Sequence, residues 1–176
     1  RIECVEGIED GDIGEWRRQR GLRARPTCIV LSKTLELSVE SLLGKPHCDL
    51  VIMAGASADS ANLNQLRGDG VEVRITRQRW VVGDDITAIA RERGFRTLYA
   101  IGGPDILYTL LDARLLDRLY LTVAHLALAG RDYDTLTRGD TLMPPYGFGM
   151  NELYLHPAAG DKPELLFASY NRTSPP

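Results

Sequence analysis

Short apolar runs alternate with helix-patterned segments along this chain, and then two runs follow with no helix between them. That order limits the chain to a mixed α/β sheet. Thr27-Cys28-Ile29-Val30-Leu31 and Asp49-Leu50-Val51-Ile52-Met53-Ala54 are compact and rich in β-branched aliphatics, as buried strands are. Val71-Glu72-Val73-Arg74-Ile75-Thr76 alternates apolar with polar residues, the mark of a half-buried strand. Thr97-Leu98-Tyr99-Ala100-Ile101 and Leu119-Tyr120-Leu121-Thr122-Val123 read as two more strands. Helices are expected at residues 15–20, ending at Gly21, and at 60–67, ending in Gly68-Asp69-Gly70. A third begins at Asp84-Asp85, with Ile86, Ile89 and Ala90 on one face, and ends at Gly94. A fourth covers 105–113 and turns Ile106, Leu107, Leu110 and Leu111 inward. Such alternation builds βαβ units around a parallel sheet. The last two runs, 152–156 and 165–170, are joined by Pro157-Ala158-Ala159-Gly160-Asp161-Lys162-Pro163, so they pair as an antiparallel hairpin. The expected architecture is a mixed sheet with a parallel centre, an antiparallel C-terminal hairpin and helices on both faces.

The 176 residues suit one domain, read as spanning 1–176 with a frayed tail at 173–176. With 44% hydrophobic and 26% charged residues the composition is that of an ordinary globular protein, not of a disordered or collagen-like chain. No apolar run approaches the roughly 20 residues of a membrane span. A net charge of −3 speaks against a nucleic-acid partner. Cys4, Cys28 and Cys48 are odd in number and widely spaced, without a CxxC pair, which points away from a disulfide framework and from a zinc knuckle. The expected setting is the reducing cytoplasm. Arg1-Ile2-Glu3 carries neither an initiator methionine nor a signal-peptide core, so the chain is expected to begin partway through a longer sequence.

Three loops at strand ends could carry chemistry. In Gly102-Gly103-Pro104-Asp105-Ile106-Leu107 a strand runs through two glycines straight into a helix. Glycine lets a ligand approach the backbone closely, and the amide end of a helix favours a phosphate. The same residues also make a plain strand–helix turn with proline at the first helical position. The GxGxxG spacing of a dinucleotide fingerprint is absent. Leu31-Ser32-Lys33-Thr34 offers two hydroxyls and a cation, suited to a phosphate monoester, or is simply a polar loop. Gly55-Ala56-Ser57 is small enough to admit a flat ring or a phosphate. Parallel neighbouring strands would gather such ends at one sheet edge, where open α/β sheets bind ligands.

Other features point to structure rather than chemistry. Arg17, Arg18, Arg20, Arg23 and Arg25 read as a solvated basic face, and Asp84-Asp85 as a helix cap. His47, His125 and His156 lack ligand spacing, and no metal site is expected. Trp16 and Trp80 read as packing or interface residues rather than stacking platforms. No GxSxG elbow is present.

The stretch GFRTLYAIGGPDILYTLLDARLLDRLYLTVAHLALAG, residues 94–130, resembles the reductase domain of bacterial riboflavin biosynthesis and the wider pyrimidine-reductase and dihydrofolate-reductase-like superfamily. The resemblance rests on the order of a strand, Gly102-Gly103, a helix with paired leucines, Leu116-Asp117, and a strand leading to Gly130. It extends upstream to Pro26 and more weakly to Tyr170. It implies a dihydrofolate-reductase-like fold, a homodimer, and NADPH lying over the strand ends. On this resemblance Gly102, Gly103, Pro104, Asp105 and Ile106, with Leu107 behind them, lie along the nicotinamide-side phosphates. Leu31, Ser32, Lys33 and Thr34 hold the adenosine 2′-phosphate, and Gly55, Ala56 and Ser57 border the adenine half. The implied activity is NADPH-dependent reduction of a ribosylaminopyrimidine or pteridine-like small molecule. The alternative is a dimeric nucleotide-binding module without catalysis. Two departures stand out. Ile101 occupies a place that is acidic in many riboflavin-pathway reductases, and the family's first strand and helix, ahead of the Pro26 strand, are expected to be lacking. No catalytic residue can be assigned.

Overall fold

The computed structural model describes residues 12–37, 49–127, 129–131, 135–160 and 163–173. Their element order is α1 (Asp12–Arg18), β1 (Cys28–Ser32), β2 (Leu50–Ala54), α2 (Ser60–Gly68), β3 (Glu72–Ile75), α3 (Gly83–Glu92), α4 (Pro104–Asp112), β4 (Arg118–Ala124), β5 (Phe148–His156) and β6 (Leu165–Arg172). The chain divides into two compact units, Arg1–Val81 and Val82–Pro176. Cys4, Cys48, His47 and the 174–176 part of the expected tail lie outside the described residues.

In the first unit β1, β2 and β3 form a parallel sheet in that order. β2 is central, and Val51, Ile52, Met53 and Ala54 are all buried, which explains its unbroken apolar run. The core gathers Val30, Ile52, Ala54, Leu66, Val71 and Val73 around one residue that the sequence does not flag, Leu35. Leu35 is 2% exposed and has a left-handed backbone (φ 60°), in a loop whose turn is closed by its N–H donating to Ser32 Oγ at 3.0 Å. α2 starts where expected. Asp59 Oδ1 accepts from the amides of Ala61 and Asn62 at 2.8 and 3.0 Å. It ends in a Schellman turn through Gly70 (φ 79°), with Val71 N–H reaching Leu66 O.

In the second unit β4, β6 and β5 form an antiparallel sheet with β6 in the middle. The expected hairpin is therefore present, and it takes β4 as a third strand. Among the described residues 97–101 are not a strand, contrary to the sequence reading. Leu98, Tyr99 and Ile101 are 46, 81 and 90% exposed. An apolar run becomes a strand only where a neighbour supplies the ladder, and in this sheet β4 pairs with β6 alone. α3 begins at the expected aspartates, with Asp85 Oδ2 accepting from Val82 N–H at 3.0 Å. It ends at Gly94 (φ 68°), where Phe95 N–H bonds Ala90 O. α4 buries Leu110 and Leu111 and leaves Ile106 and Leu107 half-buried.

Candidate functional site

Parallel pairing brings two of the expected loops together. Ser32 pairs with Ala54 at the carboxyl ends of β1 and β2, so residues 32–34 and 55–57 leave the sheet side by side. Leu31 stays in β1, paired with Met53. The hydroxyls in the first loop also have local work. Ser32 Oγ accepts from Leu35 N–H, and Thr34 Oγ1 from Glu36 N–H at 3.3 Å, while Asn62 Nδ2 donates to Thr34 O at 3.2 Å. Lys33 instead reaches across the sheet edge, with Nζ 5.7 Å from the centroid of the Trp80 ring.

Trp80 belongs to a third loop at the same edge, which the sequence reading does not single out as a site. Thr76 N–H continues the ladder to Ala54 O at 2.9 Å, and the chain then folds back over the β2 loop. Ala56 N–H donates to Gln78 O at 2.7 Å, and Ser57 Oγ to Arg79 O at 2.8 Å. A side chain at Gly55 would meet the Arg79 and Trp80 backbone, with Trp80 Cα at 2.7 Å from the Cβ position. Gly55 is thus small because backbone packs on it, which leaves no space for a ring or phosphate directly on Gly55, while Ala56 and Ser57 stay exposed. The side chains that meet at this edge are instead Lys33, Arg79 and Trp80, and Trp80 is 43% exposed. Arg79 Cζ sits 5.0 Å from the ring centroid. A parallel β3 had to end at this same edge, and its loop carries an Arg-Trp pair; that was the available signal.

The Gly102-Gly103 turn lies in the second unit. Both glycines are exposed. Gly103 caps α4 in an extended conformation (φ −77°), and its carbonyl accepts from the amides of Ile106 and Leu107 at 3.1 and 3.2 Å. Pro104 takes the first helical position and Asp105 the first turn. The two glycines differ in kind. A Cβ on Gly102 would come within 2.7 Å of the Ile106 side chain, whereas one on Gly103 meets nothing within 4 Å. Gly102 is bare for packing; Gly103 leaves backbone open to solvent.

Several other charged groups are engaged locally. Arg17 Nε donates to Arg23 O, Arg18 pairs with Glu15, Arg23 pairs with Asp49 at 3.0 Å, and Arg20 lies 4.0 Å over the Trp16 ring. Arg18, Arg20 and Arg23 are exposed, as a solvated face requires, whereas Arg17 and Arg25 are half-buried and Arg25 Nε is buried. His125 Nδ1 lies 2.8 Å from Glu164 Oε1, and His156 packs edge-on to Phe167. On the β4–β6–β5 sheet, Arg118 donates to Asn171 Oδ1 and to the Tyr120 hydroxyl at 3.0 and 3.3 Å. The Tyr120 hydrogen bond, helped by the charge of Glu152, raises the Arg118 guanidinium above its ordinary value. Among the described residues no cluster of three or more His, Cys, Asp or Glu side chains could hold a metal. No helix among them is long and apolar enough to cross a membrane.

No family model matches the sequence. No curated protein matches it either. Solved structures do match. A pyrimidine reductase-like protein from Corynebacterium diphtheriae superposes with a TM-score of 0.80 at 19% identity, over 99% of this chain and 70% of that one. Two forms of Acinetobacter baumannii RibD give TM-scores of 0.62 and 0.58 at 13 and 15% identity, over 98 and 86% of this chain. The match spans only 42 and 39% of the RibD chains. At such identities the likeness is one of fold. The mixed α/β architecture read from the order of strands and helices is the fold of the pyrimidine reductase-like protein and of part of RibD.

Proposed function

We propose that this chain is an NADPH-dependent reductase domain of the riboflavin-pathway type, a homodimer working in the cytoplasm. Its substrate is a small molecule, a ribosylaminopyrimidine or a pteridine-like ring. The observation that carries this reading is the fold likeness to the pyrimidine reductase-like protein over 99% of the chain. The residues present suit the cofactor. Lys33 places a cation at the carboxyl edge of a parallel sheet, and Gly103 offers bare backbone at the amide end of α4. In this reading Ser32, Lys33 and Thr34 hold the 2′-phosphate, and Ala56 and Ser57 border the adenosine. NADPH supplies the hydride when bound. The protein contributes binding, alignment and exclusion of water, which for a hydride transfer is most of what catalysis asks of it.

Titrating NADPH against the purified chain, with the cofactor's fluorescence as readout, tests the reading. Saturable binding in the micromolar range is expected, and no saturation at high micromolar cofactor overturns it. Lys33→Ala should weaken NADPH about tenfold or more and leave NADH nearly unchanged, because an ion pair to the 2′-phosphate exists only with the former. Equal losses for both cofactors would remove Lys33 from that phosphate. NADPH that binds but is never oxidised with any aminopyrimidine or pteridine substrate would favour a binding module over an enzyme.

A further inference from the structure

Lys33, Trp80 and Arg79 form a group that no sequence motif marks. Two cations approach one half-exposed indole, at 5.7 and 5.0 Å from its centroid. The backbone that carries two of them is pinned. Ala56 N–H holds Gln78 O, Ser57 Oγ holds Arg79 O, and Gly55 lets the 79–80 backbone lie directly on β2's end. Trp80 is not turned into the core but keeps 43% of its surface open at the carboxyl edge of the sheet. Another possible anchor for an anion in this unit, the amide end of α2, is already filled by the Asp59 carboxylate, which bonds the amides of Ala61 and Asn62. An anion at this edge therefore depends on side-chain cations rather than on a helix end. A flat ring beside two cations recognises a flat base that carries a phosphate close to it. Stacking on an aromatic face holds the base, at a cost on removal worth a large factor in affinity, and the cations hold the phosphate.

We propose that the loop after β3 completes a purine-nucleotide site, with Trp80 as the stacking platform for the adenine and Arg79 as a second cation beside Lys33 for the 2′-phosphate. The assignment rests on the NADPH reading and adds two specificity-determining residues to it. Trp80 changes role, from a packing residue in the sequence reading to a surface that the ligand covers.

The test uses the intact chain with Trp16→Phe, so that Trp80 alone reports, and titrates adenosine 2′-phosphate while following indole fluorescence. Saturable quenching is expected, with adenosine 5′-phosphate and inorganic phosphate each binding at least tenfold more weakly. Arg79→Ala should lower affinity for adenosine 2′-phosphate about tenfold while affecting adenosine little. In the chain with Trp16 intact, and with binding read by isothermal titration calorimetry since the Trp80 indole is then gone, Trp80→Leu should lower affinity for both, and Trp80→Phe should restore most of it. Circular dichroism checks that each variant is folded. NADPH that binds without perturbing Trp80 would overturn this assignment and leave the reductase reading intact. So would equal binding of the 2′- and 5′-phosphates, or an Arg79→Ala variant that loses adenosine as much as its 2′-phosphate. Absence of any binding of NADPH would remove both.

Discussion

At the scale of single residues, three glycines that look alike in the sequence do different jobs. Gly55 and Gly102 are small because something lies against them, the Arg79–Trp80 backbone in one case and the Ile106 side chain in the other. Gly103 faces open space at an ordinary negative φ. Gly55→Ala should therefore destabilise by about 1–3 kcal/mol or more, since backbone rather than a flexible side-chain tip must give way. Gly103→Ala should stay within about 0.5 kcal/mol, because a weaker N-cap is offset by a less flexible unfolded chain. Urea unfolding of the two variants decides it, and equal losses would contradict the distinction between them. If the open backbone at Gly103 meets the cofactor's phosphates, Gly103→Ala should also weaken NADPH binding despite its intact fold.

At the scale of elements, helix ends were the most legible part of the chain. Gly70, Asp85 and Gly94 mark ends of α2 and α3, because capping is chemistry between near neighbours and needs no tertiary partner; the sequence reading does not single out the Asp59 cap, and α1 runs from Asp12 to Arg18 rather than over the expected 15–20. Asp85→Ala should cost about 1 kcal/mol by freeing the Val82 amide. Asp84→Ala, which loses only a charge near the helix amide end, should cost a few tenths. Thermal or urea denaturation that ranks the two the other way would refute the cap. Strands were less legible. The 97–101 run carries every local mark of a strand yet is unpaired among the described residues, while β5 extends four residues before the expected 152. Strand pairing is decided by what lies beside a segment, which the segment itself does not encode. β5 also carries a bulge between Met150 and Glu152, a local adjustment that no period-2 pattern announces.

At the scale of the molecule, each sheet sets a different expectation. The parallel sheet lines up the ends of β1, β2 and β3, and this is what gathers Lys33, Ser57, Arg79 and Trp80 at one edge. The antiparallel sheet leaves apolar side chains uncovered. Tyr120, Phe167 and Tyr154 share one face by register, and they are 58, 40 and 61% exposed. Contiguous exposed aromatics are characteristic of association surfaces. Under the proposed homodimer, sedimentation equilibrium at micromolar concentration should return twice the 19.5 kDa of one chain. Tyr154→Glu should shift it to the monomer, because a charge buried in such a face is left without a partner. A monomer throughout, in the unmodified protein, would rule the dimer out.

The amino-acid sequence alone determined the fold class, most element types and the positions of several helix caps, since periodicity and capping act within a few residues. It also placed two strand ends that the structure sets side by side. The left-handed, buried Leu35, the backbone seated on Gly55 and the meeting of Lys33 with Trp80 were decided only by tertiary structure. Each joins segments whose contact depends on parallel pairing or on packing of the folded core, and the chain carries no local mark of which neighbour it will meet.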